Sequence, residues 1–125
     1  MNRFNPSSNH PLRAVQAWQI LVGAAMNRQT LTYLRLSELM YDKPAQGVLD
    51  HILGHIAFFC KDNGLPILTC IVVNQETGLP GQDIPMSHDQ LNAERERVYI
   101  EHWYDIQPPS AEALRVAFQS NMQHA

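Results

Sequence analysis

The fold is decided by the segment from Thr32 to Gly81, TYLRLSELMYDKPAQGVLDHILGHIAFFCKDNGLPILTCIVVNQETGLPG (residues 32–81). Apolar residues recur at helical spacing in two blocks, a short one over residues 33–40 and a longer one over about 46–61. The period then changes, and residues 66–73 form an apolar run rich in β-branched residues. The segment therefore predicts two helices followed by a β element.

Local signals mark the ends of these two helices. Thr32 is a suitable N-cap for the first helix, which is expected to bury Leu36 and Leu39. The pair Asn63-Gly64 is a strong stop for the second helix. The buried face of that second helix is predicted to consist of Val48, Leu49, Ile52, Leu53, Ile56 and Phe59.

The segment PILTCIVV (residues 66–73) is predicted to be a strand. The residues after it, NQETGLPG (residues 74–81), are rich in turn formers, so we expect the chain to return there as a β-hairpin or wing.

Outside this segment, three more helices are predicted. Residues 11–27 form an apolar stripe at helical spacing. Ser87 and Gln90 resemble a capping box that opens a charged helix to about Trp103. Ser110 is expected to cap a last helix that reaches about Ser120.

The predicted fold is mainly α, of the α+β type, with a winged helix-turn-helix-like core, a small β-hairpin and additional C-terminal helices. Residues 1–10 are expected to be a flexible arm, and residues 11–125 one domain.

Length and composition limit the class of protein. A chain of 125 residues, 45% apolar and 17% charged, fits one globular domain. It contains no apolar run of the roughly 20 residues that cross a bilayer, and its first ten residues lack the pattern of a signal peptide. We therefore expect a cytoplasmic protein that makes no membrane contact.

Cys60 and Cys70 stand in apolar surroundings and are expected to be buried free thiols. The net charge of −3 argues mildly against a nucleic-acid partner.

The segment from Thr32 to Gly81 resembles the DNA-binding domain of alkylguanine-DNA alkyltransferases and alkyltransferase-like proteins. Those domains have a Thr-Tyr at the start of a short helix, a recognition helix, a Pro-Cys-His-Arg-Val-Val strand and a glycine-containing turn. Thr32-Tyr33, the helix over residues 48–56, Val72-Val73 and Gly78 follow in the same order. The chain is also similar to a group of uncharacterised bacterial proteins with a Leu-Pro…Val-Val-Asn…Thr-Gly-Leu-Pro-Gly segment. The first resemblance implies a winged-helix, DNA-binding scaffold.

The chemistry of the alkyltransferases does not carry over. Thr69 stands where the alkyl-accepting cysteine would be, Cys70 replaces the histidine and Ile71 replaces the arginine. A threonine cannot act as the thiolate nucleophile, and in a strand Cys70 would point to the opposite face. The family's arginine early in the recognition helix is also missing from residues 46–48, which puts base flipping in doubt. No catalytic residue is therefore assigned.

A DNA surface is the first candidate site. In a helix-turn-helix, Gln46 and His51 would face base edges, while cations and the wing would contact phosphates. The predicted DNA-binding residues are Arg28, Arg35, Lys43, Gln46, His51, Lys61 and Asn74. The alternatives are an ordinary solvated face for the charges and simple turn chemistry for Asn74.

Metal binding is not predicted. His51 and His55 share one helical face, as two zinc ligands would. However, Ile52 occupies the place of the zincin glutamate, and the sequence offers no convincing third ligand. No metal and no cofactor are therefore assigned.

The charged helix near the C-terminus is expected to present a solvated face. Its aromatic residues Tyr99, Trp103 and Tyr104 are candidates for a protein-partner or homodimer surface, although a core role is more common.

Two functions from different classes follow. The leading expectation is a non-catalytic DNA-binding protein, regulatory or associated with DNA processing, that docks duplex DNA with its third helix. The alternative is a protein-interaction module (inhibitor, immunity or adaptor protein) that keeps the scaffold without binding DNA. A positive third-helix face would favour DNA, and an acidic one a protein partner. A hydrolase built on His51 or His102 would need a carboxylate or metal beside the imidazole.

Overall fold

A computed structural model of the protein describes residues 1–42, 46–81 and 84–123, with the side chain of Gln46 excepted. Within these residues the chain forms five α-helices: α1 (His10–Met26), α2 (Tyr33–Tyr41), α3 (Leu49–Asp62), α4 (Leu91–Ile100) and α5 (Ala111–Gln123). Two short strands are present, β1 (Leu31–Thr32) and β2 (Val72–Val73). Short 3-10 helices cover Gln46–Val48, Leu68–Ile71, His88–Gln90 and Trp103–Asp105. The prediction of a mainly helical fold is confirmed.

Helix α3 is the centre of the molecule because it packs against α1 and α5, which also contact each other. The 3-10 helix Leu68–Ile71 closes the core against α1, α3 and α4. Aromatic rings fill one part of this core: Trp18 on α1 meets Phe59 and Trp103 edge to face, with ring centroids 5.8 and 5.7 Å apart. Seven of the fourteen α3 residues are buried: Leu49, Ile52, Leu53, His55, Ile56, Ala57 and Cys60.

The helix ends follow the local signals of the sequence. The backbone N–H of Arg35 donates to Thr32 Oγ1 at 3.0 Å, and that of Ala113 donates to Ser110 Oγ at 3.0 Å. Both predicted N-caps are therefore confirmed. After α3, Gly64 adopts a positive φ of 67°, a conformation that glycine adopts without strain, so the predicted stop is also confirmed. Ser87, in contrast, makes no side-chain cap bond, and the predicted capping box is wrong.

The predicted β-hairpin is wrong. Half of the segment 66–73 is a 3-10 helix, and strand β2 pairs in parallel with β1, with Leu31 opposite Val72 and Thr32 opposite Val73. The following loop closes on itself, because the N–H of Asn74 donates to the Leu79 carbonyl at 2.8 Å. A short apolar run that is buried on all sides shows no alternation of apolar and polar residues. Its composition alone therefore does not distinguish a strand from a buried 3-10 helix.

Two predicted core residues lie on the surface. Leu39 is 42% exposed, since the buried side of the short α2 is formed by Leu36, Ser37 and Met40. Val48 is 41% exposed because it belongs to the 3-10 turn before α3 and not to the helix itself.

A buried arginine ties the N-terminal arm to the helices. The guanidinium of Arg13 donates to the carbonyls of Met40 and Asn5 at 2.8 and 2.7 Å. It also lies over the ring of Tyr41, 4.3 Å from its centroid. The Met40 carbonyl belongs to the last turn of α2, where a positive charge is favourable, while Arg13 Nε is buried without a hydrogen-bond partner among the described residues.

The packing of α2 is tested by a matched pair of leucine substitutions. Leu36→Ala removes a fully buried side chain and is expected to lower the free energy of unfolding by about 2–5 kcal/mol. Leu39→Ala trims an exposed side chain and is expected to change it by about 0.5 kcal/mol or less. Urea unfolding followed by circular dichroism measures both. Equal losses in the two variants would contradict the assigned orientation of α2.

Candidate functional site

A cleft opens where α2, α3 and the loop after β2 meet. The parallel register places Thr32 beside Val73, so the residues that follow, Tyr33 and Asn74, leave the sheet at the same end. The first turn of α3 brings Asp50 to the same place, and all three residues line the cleft. The backbone N–H of Gly81 donates to Tyr33 Oη at 2.6 Å and fixes the loop against the phenol.

The cleft has an inner and an outer part. The inner part is a cavity of about 30 Å³, which is room for about two water-sized groups. The outer part is an open depression of about 790 Å³. The two share Tyr33, Asp50 and Gly81. The inner cavity is otherwise lined by Leu53, Gly54, Ala57, Thr69 and Ile84, and the outer depression by Leu34, Asn74, Gln75 and Glu76.

Thr69, one of the residues that line the inner cavity, has a buried and unsatisfied hydroxyl. Thr69 is 2% exposed, and its Oγ1 has no hydrogen-bond partner in the part of the chain that the structure describes. Leaving such a group buried and unpaired costs about 1–3 kcal/mol. Native proteins rarely retain this cost without a bound water or a function.

The lining of the cleft is acidic. Asp50 and Glu76 contribute carboxylates, and among the lining residues that the structure describes there is no lysine or arginine. The cleft therefore favours a cation or hydrogen-bond donors over an anion.

Arg95 on α4 holds the loop that forms the outer wall. Its Nη2 donates to the Gly78 carbonyl at 2.8 Å, and its Nε donates to the Cys70 carbonyl at 3.3 Å. Gly78 has a positive φ of 69°. The side chain of Asn74 serves this loop too, since its Oδ1 accepts from the backbone N–H groups of Glu76 and Thr77 at 2.8 and 3.3 Å. Turn formation, one of the two interpretations of Asn74, therefore has direct support.

Two of the cations of the predicted DNA surface are hydrogen-bonded to other helices of the fold. Arg28 binds both carboxylate oxygens of Glu96 on α4 at 2.9 Å. Lys61 donates to Asn121 Oδ1 on α5 at 2.9 Å. Lys61 and His51 lie on α3 about 15 Å apart along the helix axis. Arg35 is exposed on α2. Lys43 and the side chain of Gln46 lie outside the described part of the chain.

Helix α5 covers one face of α3 through the ring of Phe118. This ring stacks on that of His55, with centroids 4.2 Å apart and planes within 3° of parallel. It also contacts the ring of His51 at 5.4 Å. A Cβ on Gly54 would lie 3.1 Å from Phe118 Cε2, so the glycine permits the close approach of the ring. His51 itself is exposed, but part of the face predicted to dock on DNA is occupied by α5.

His10, His51 and His55 make contacts within the fold. His55 Nδ1 lies 2.7 Å from the His51 carbonyl, which requires the Nδ1–H tautomer in the neutral ring. The ring of His10 lies 5.6 Å from that of His51. Within residues 1–42, 46–81 and 84–123, no group of three or more potential metal ligands is arranged to hold an ion.

The predicted aromatic partner surface is not one patch. Trp103 is 1% exposed, and its Nε1 donates to the Val98 carbonyl at 2.7 Å, so its assignment to a surface is wrong. The sequence prediction extended the helix to this residue, whereas α4 ends at Ile100 and the chain turns inward. Tyr99 is half-buried beneath the guanidinium of Arg28, and Tyr104 is 68% exposed.

Both thiols are buried and free, as predicted. Burial raises the pKa of Cys60 and of Cys70 to about 12, so both are protonated at neutral pH. The expectation that Thr69 and Cys70 face opposite sides of a strand is wrong, because both lie in the 3-10 helix Leu68–Ile71 and both are buried.

Comparisons with protein-family models, with curated proteins and with solved structures found no match to this chain. No helix among the described residues has the length and apolar character needed to span a membrane.

The buried imidazole makes stability depend on pH. Burial lowers the pKa of His55 below its ordinary value of 6.5; the hydrogen bond to the His51 carbonyl opposes this shift, and the nearby His10 and His51 rings add to it. The unfolded chain therefore binds more protons than the folded chain below about pH 6.5. We expect His55 to leave the free energy of unfolding unchanged above about pH 6.5 and to lower it as the pH drops below that value. Urea titrations at pH 7.5 and 5.0 measure this loss.

The matched control is His55→Phe, which keeps an aromatic ring against Phe118 and removes the titrating group. Its loss of stability between pH 7.5 and 5.0 is expected to be smaller than that of the wild type. An equal loss in both proteins would assign the pH dependence to other groups.

Proposed function

We propose that this protein is a non-catalytic binding module that recognises a protein partner, and that the cleft receives a basic side chain of that partner. The observation that carries this proposal is the acidic lining of the cleft, where Asp50 and Glu76 supply carboxylates and no described lining residue is a lysine or arginine. Charge complementarity argues for a cation at Asp50 and Glu76, and the inner cavity offers a place where one side chain of the partner is desolvated.

The distribution of cations favours a protein partner over DNA. Most of the lysine and arginine side chains that the structure describes hydrogen-bond within the chain: Arg13, Arg28, Lys61, Arg95, Arg97 and Arg115. The net charge is −3. Phosphate binding depends on cations that replace condensed counterions, and neither the cleft nor the covered face of α3 supplies them.

The non-catalytic assignment is supported by the state of the reactive side chains. The two thiols stay protonated at neutral pH, and the His55 ring is engaged with a backbone carbonyl and with Phe118. A nucleophile needs a base within hydrogen-bond reach, and neither group is arranged in that way.

The winged-helix interpretation also remains a proposal, as does the resemblance to alkyltransferase domains. Its support is the succession of α1, α2 and α3 followed by the turn-rich loop 74–81. A scaffold of this type that no longer binds DNA is the alternative that an acidic cleft favours.

The protein-partner proposal is tested by nuclear magnetic resonance with short peptides. The probes are acetylated and amidated Gly-Gly-X-Gly-Gly peptides in which X is lysine, arginine or norleucine. At least one basic peptide is expected to shift the backbone amide signals of Asp50, Gly54 and Gly81, while the norleucine peptide is not. Asp50→Asn should weaken this binding roughly two- to fivefold, as expected for a solvent-exposed ion pair.

Asp105→Asn is the matched control, because Asp105 is an exposed carboxylate outside the cleft. It is expected to leave peptide affinity unchanged. Absence of binding by both basic peptides would overturn the proposal, and equal weakening by the two variants would assign the effect to net charge.

DNA binding is the second candidate, and the exposed Arg35 on α2 is the observation that favours it. Fluorescence anisotropy of labelled duplex and single-stranded DNA decides between the two candidates. Under our proposal, DNA does not bind even at low salt. Binding that weakens steeply with salt and is reduced by Arg35→Ala, but not by Arg115→Ala, would establish the DNA surface instead.

A further inference from the structure

An apolar groove lies between α3 and α5. Its volume is about 300 Å³, and the residues that line it are Asp50, His51, Gly54, Phe58, Phe118 and Met122. The rings of Phe58 and Phe118 are half-buried, with centroids 6.2 Å apart, and Met122 is 51% exposed. The groove therefore presents aromatic rings and a thioether to solvent, groups that are common in adaptable protein-binding surfaces.

The apolar groove and the acidic cleft meet at Asp50. This residue lines the groove, the inner cavity and the outer depression, and Gly54 lines both the groove and the inner cavity. Asp50, Gly54 and Phe58 are spaced by four residues, so they follow one another along one face of α3. Neither Asp50 nor Glu76 takes part in an ion pair among the described residues. A carboxylate that is open to an incoming cation therefore borders the apolar groove.

We propose that the apolar groove binds an apolar side chain of the same partner segment that brings its basic residue to the cleft, and that the two side chains are two positions apart. The inference rests on the proposed function and specifies the sequence that the partner presents. Charge complementarity places the basic residue at Asp50. Because Asp50 also borders the groove, the residues next to that cation in the partner are held close to the aromatic rings.

The spacing follows from the dimensions of α3 and of an extended peptide. Gly54 lies in the middle of the α3 residues that line the groove, four residues and therefore about 6 Å from Asp50 along the helix axis. Two residues of extended chain span about 6.6–6.8 Å, and their side chains point to the same side. Side chains of adjacent residues point to opposite sides. The expected motif is therefore a basic and an apolar residue separated by one residue.

The groove is expected to select against charge at the apolar position. An aliphatic side chain against Phe58, Phe118 and Met122 removes apolar surface of both molecules from water. An aspartate or glutamate at the same position would lose its hydration and would meet the like charge of Asp50. The surface as a whole thus distinguishes the two residues of the motif by their chemistry.

The experiment measures peptide affinity by chemical-shift titration of the complete chain at pH 7.5. The probes are acetylated and amidated Gly-Arg-Gly-Leu-Gly, Gly-Leu-Gly-Arg-Gly, Gly-Arg-Gly-Gly-Gly and Gly-Gly-Gly-Leu-Gly. The first two contain the motif in its two chain directions. The better of them is expected to bind about five- to tenfold more tightly than the peptide with arginine alone. It is also expected to shift the methyl signal of Met122, which the arginine peptide does not.

Met122→Ala removes part of the groove wall. It is expected to abolish most of the gain that leucine gives, while the affinity for the arginine peptide stays unchanged. Val116→Ala is the matched control, because Val116 lies on the same helix, is 50% exposed and does not line the groove. It is expected to leave all four affinities unchanged. In the wild type, nuclear Overhauser contacts are expected between the leucine methyl protons and the ring protons of Phe118.

The possible outcomes separate this inference from the proposed function. If the motif peptides bind no more tightly than the arginine peptide, the groove inference is wrong and the acidic cleft stands. The same holds if the leucine peptide binds as tightly as the motif peptides, since the two sites then do not act together. A Met122 signal that shifts with protein concentration alone would assign the groove to a second copy of the chain and overturn the inference. If no basic peptide binds, both proposals are overturned.

Discussion

The parallel pairing of Leu31–Thr32 with Val72–Val73 is the interaction on which the cleft depends. It joins the chain before α2 to the chain after the core 3-10 helix, and its register sets Tyr33 beside Asn74. A pairing of two residues per strand is weak by itself, and here the surrounding core supports it, since Val72 is fully buried. The position of every residue at the mouth of the cleft follows from this register and from the placement of α3 against α1 and α5.

The sequence predicts the parts of the fold that depend on neighbouring residues. The caps at Thr32 and Ser110 and the glycine after α3 act within one turn of the chain, so they can be recognised without knowledge of the fold. The hairpin prediction failed for the opposite reason. The partner of β2 comes from a distant segment, and nothing in the apolar run PILTCIVV encodes that partner or shows that half of the run is a buried 3-10 helix.

The candidate site depends even more on tertiary structure. The sequence singles out Thr69 only because it stands where the alkyltransferases have their alkyl-accepting cysteine. Its unsatisfied hydroxyl, in contrast, is a property of the packed core. The sequence shows Arg28 and Lys61 as cations near helix ends and does not indicate what they pair with. Their partners Glu96 and Asn121 come from helices far along the chain, so their pairing could not be predicted. Trp103 shows the same limit, since an aromatic residue near a charged helix can face either side of it.

Alkylation of the two buried thiols can be used to measure how often the core opens transiently. A thiol must meet solvent and lose its proton before an alkylating reagent can modify it, and both Cys60 and Cys70 are closed off from solvent in the folded state. Modification therefore proceeds only through molecules whose core has opened. Cys60 lies on α3, whereas Cys70 lies beneath α4 and the loop that Arg95 holds. The rates at the two positions thus record how often this part of the core opens, with no added label.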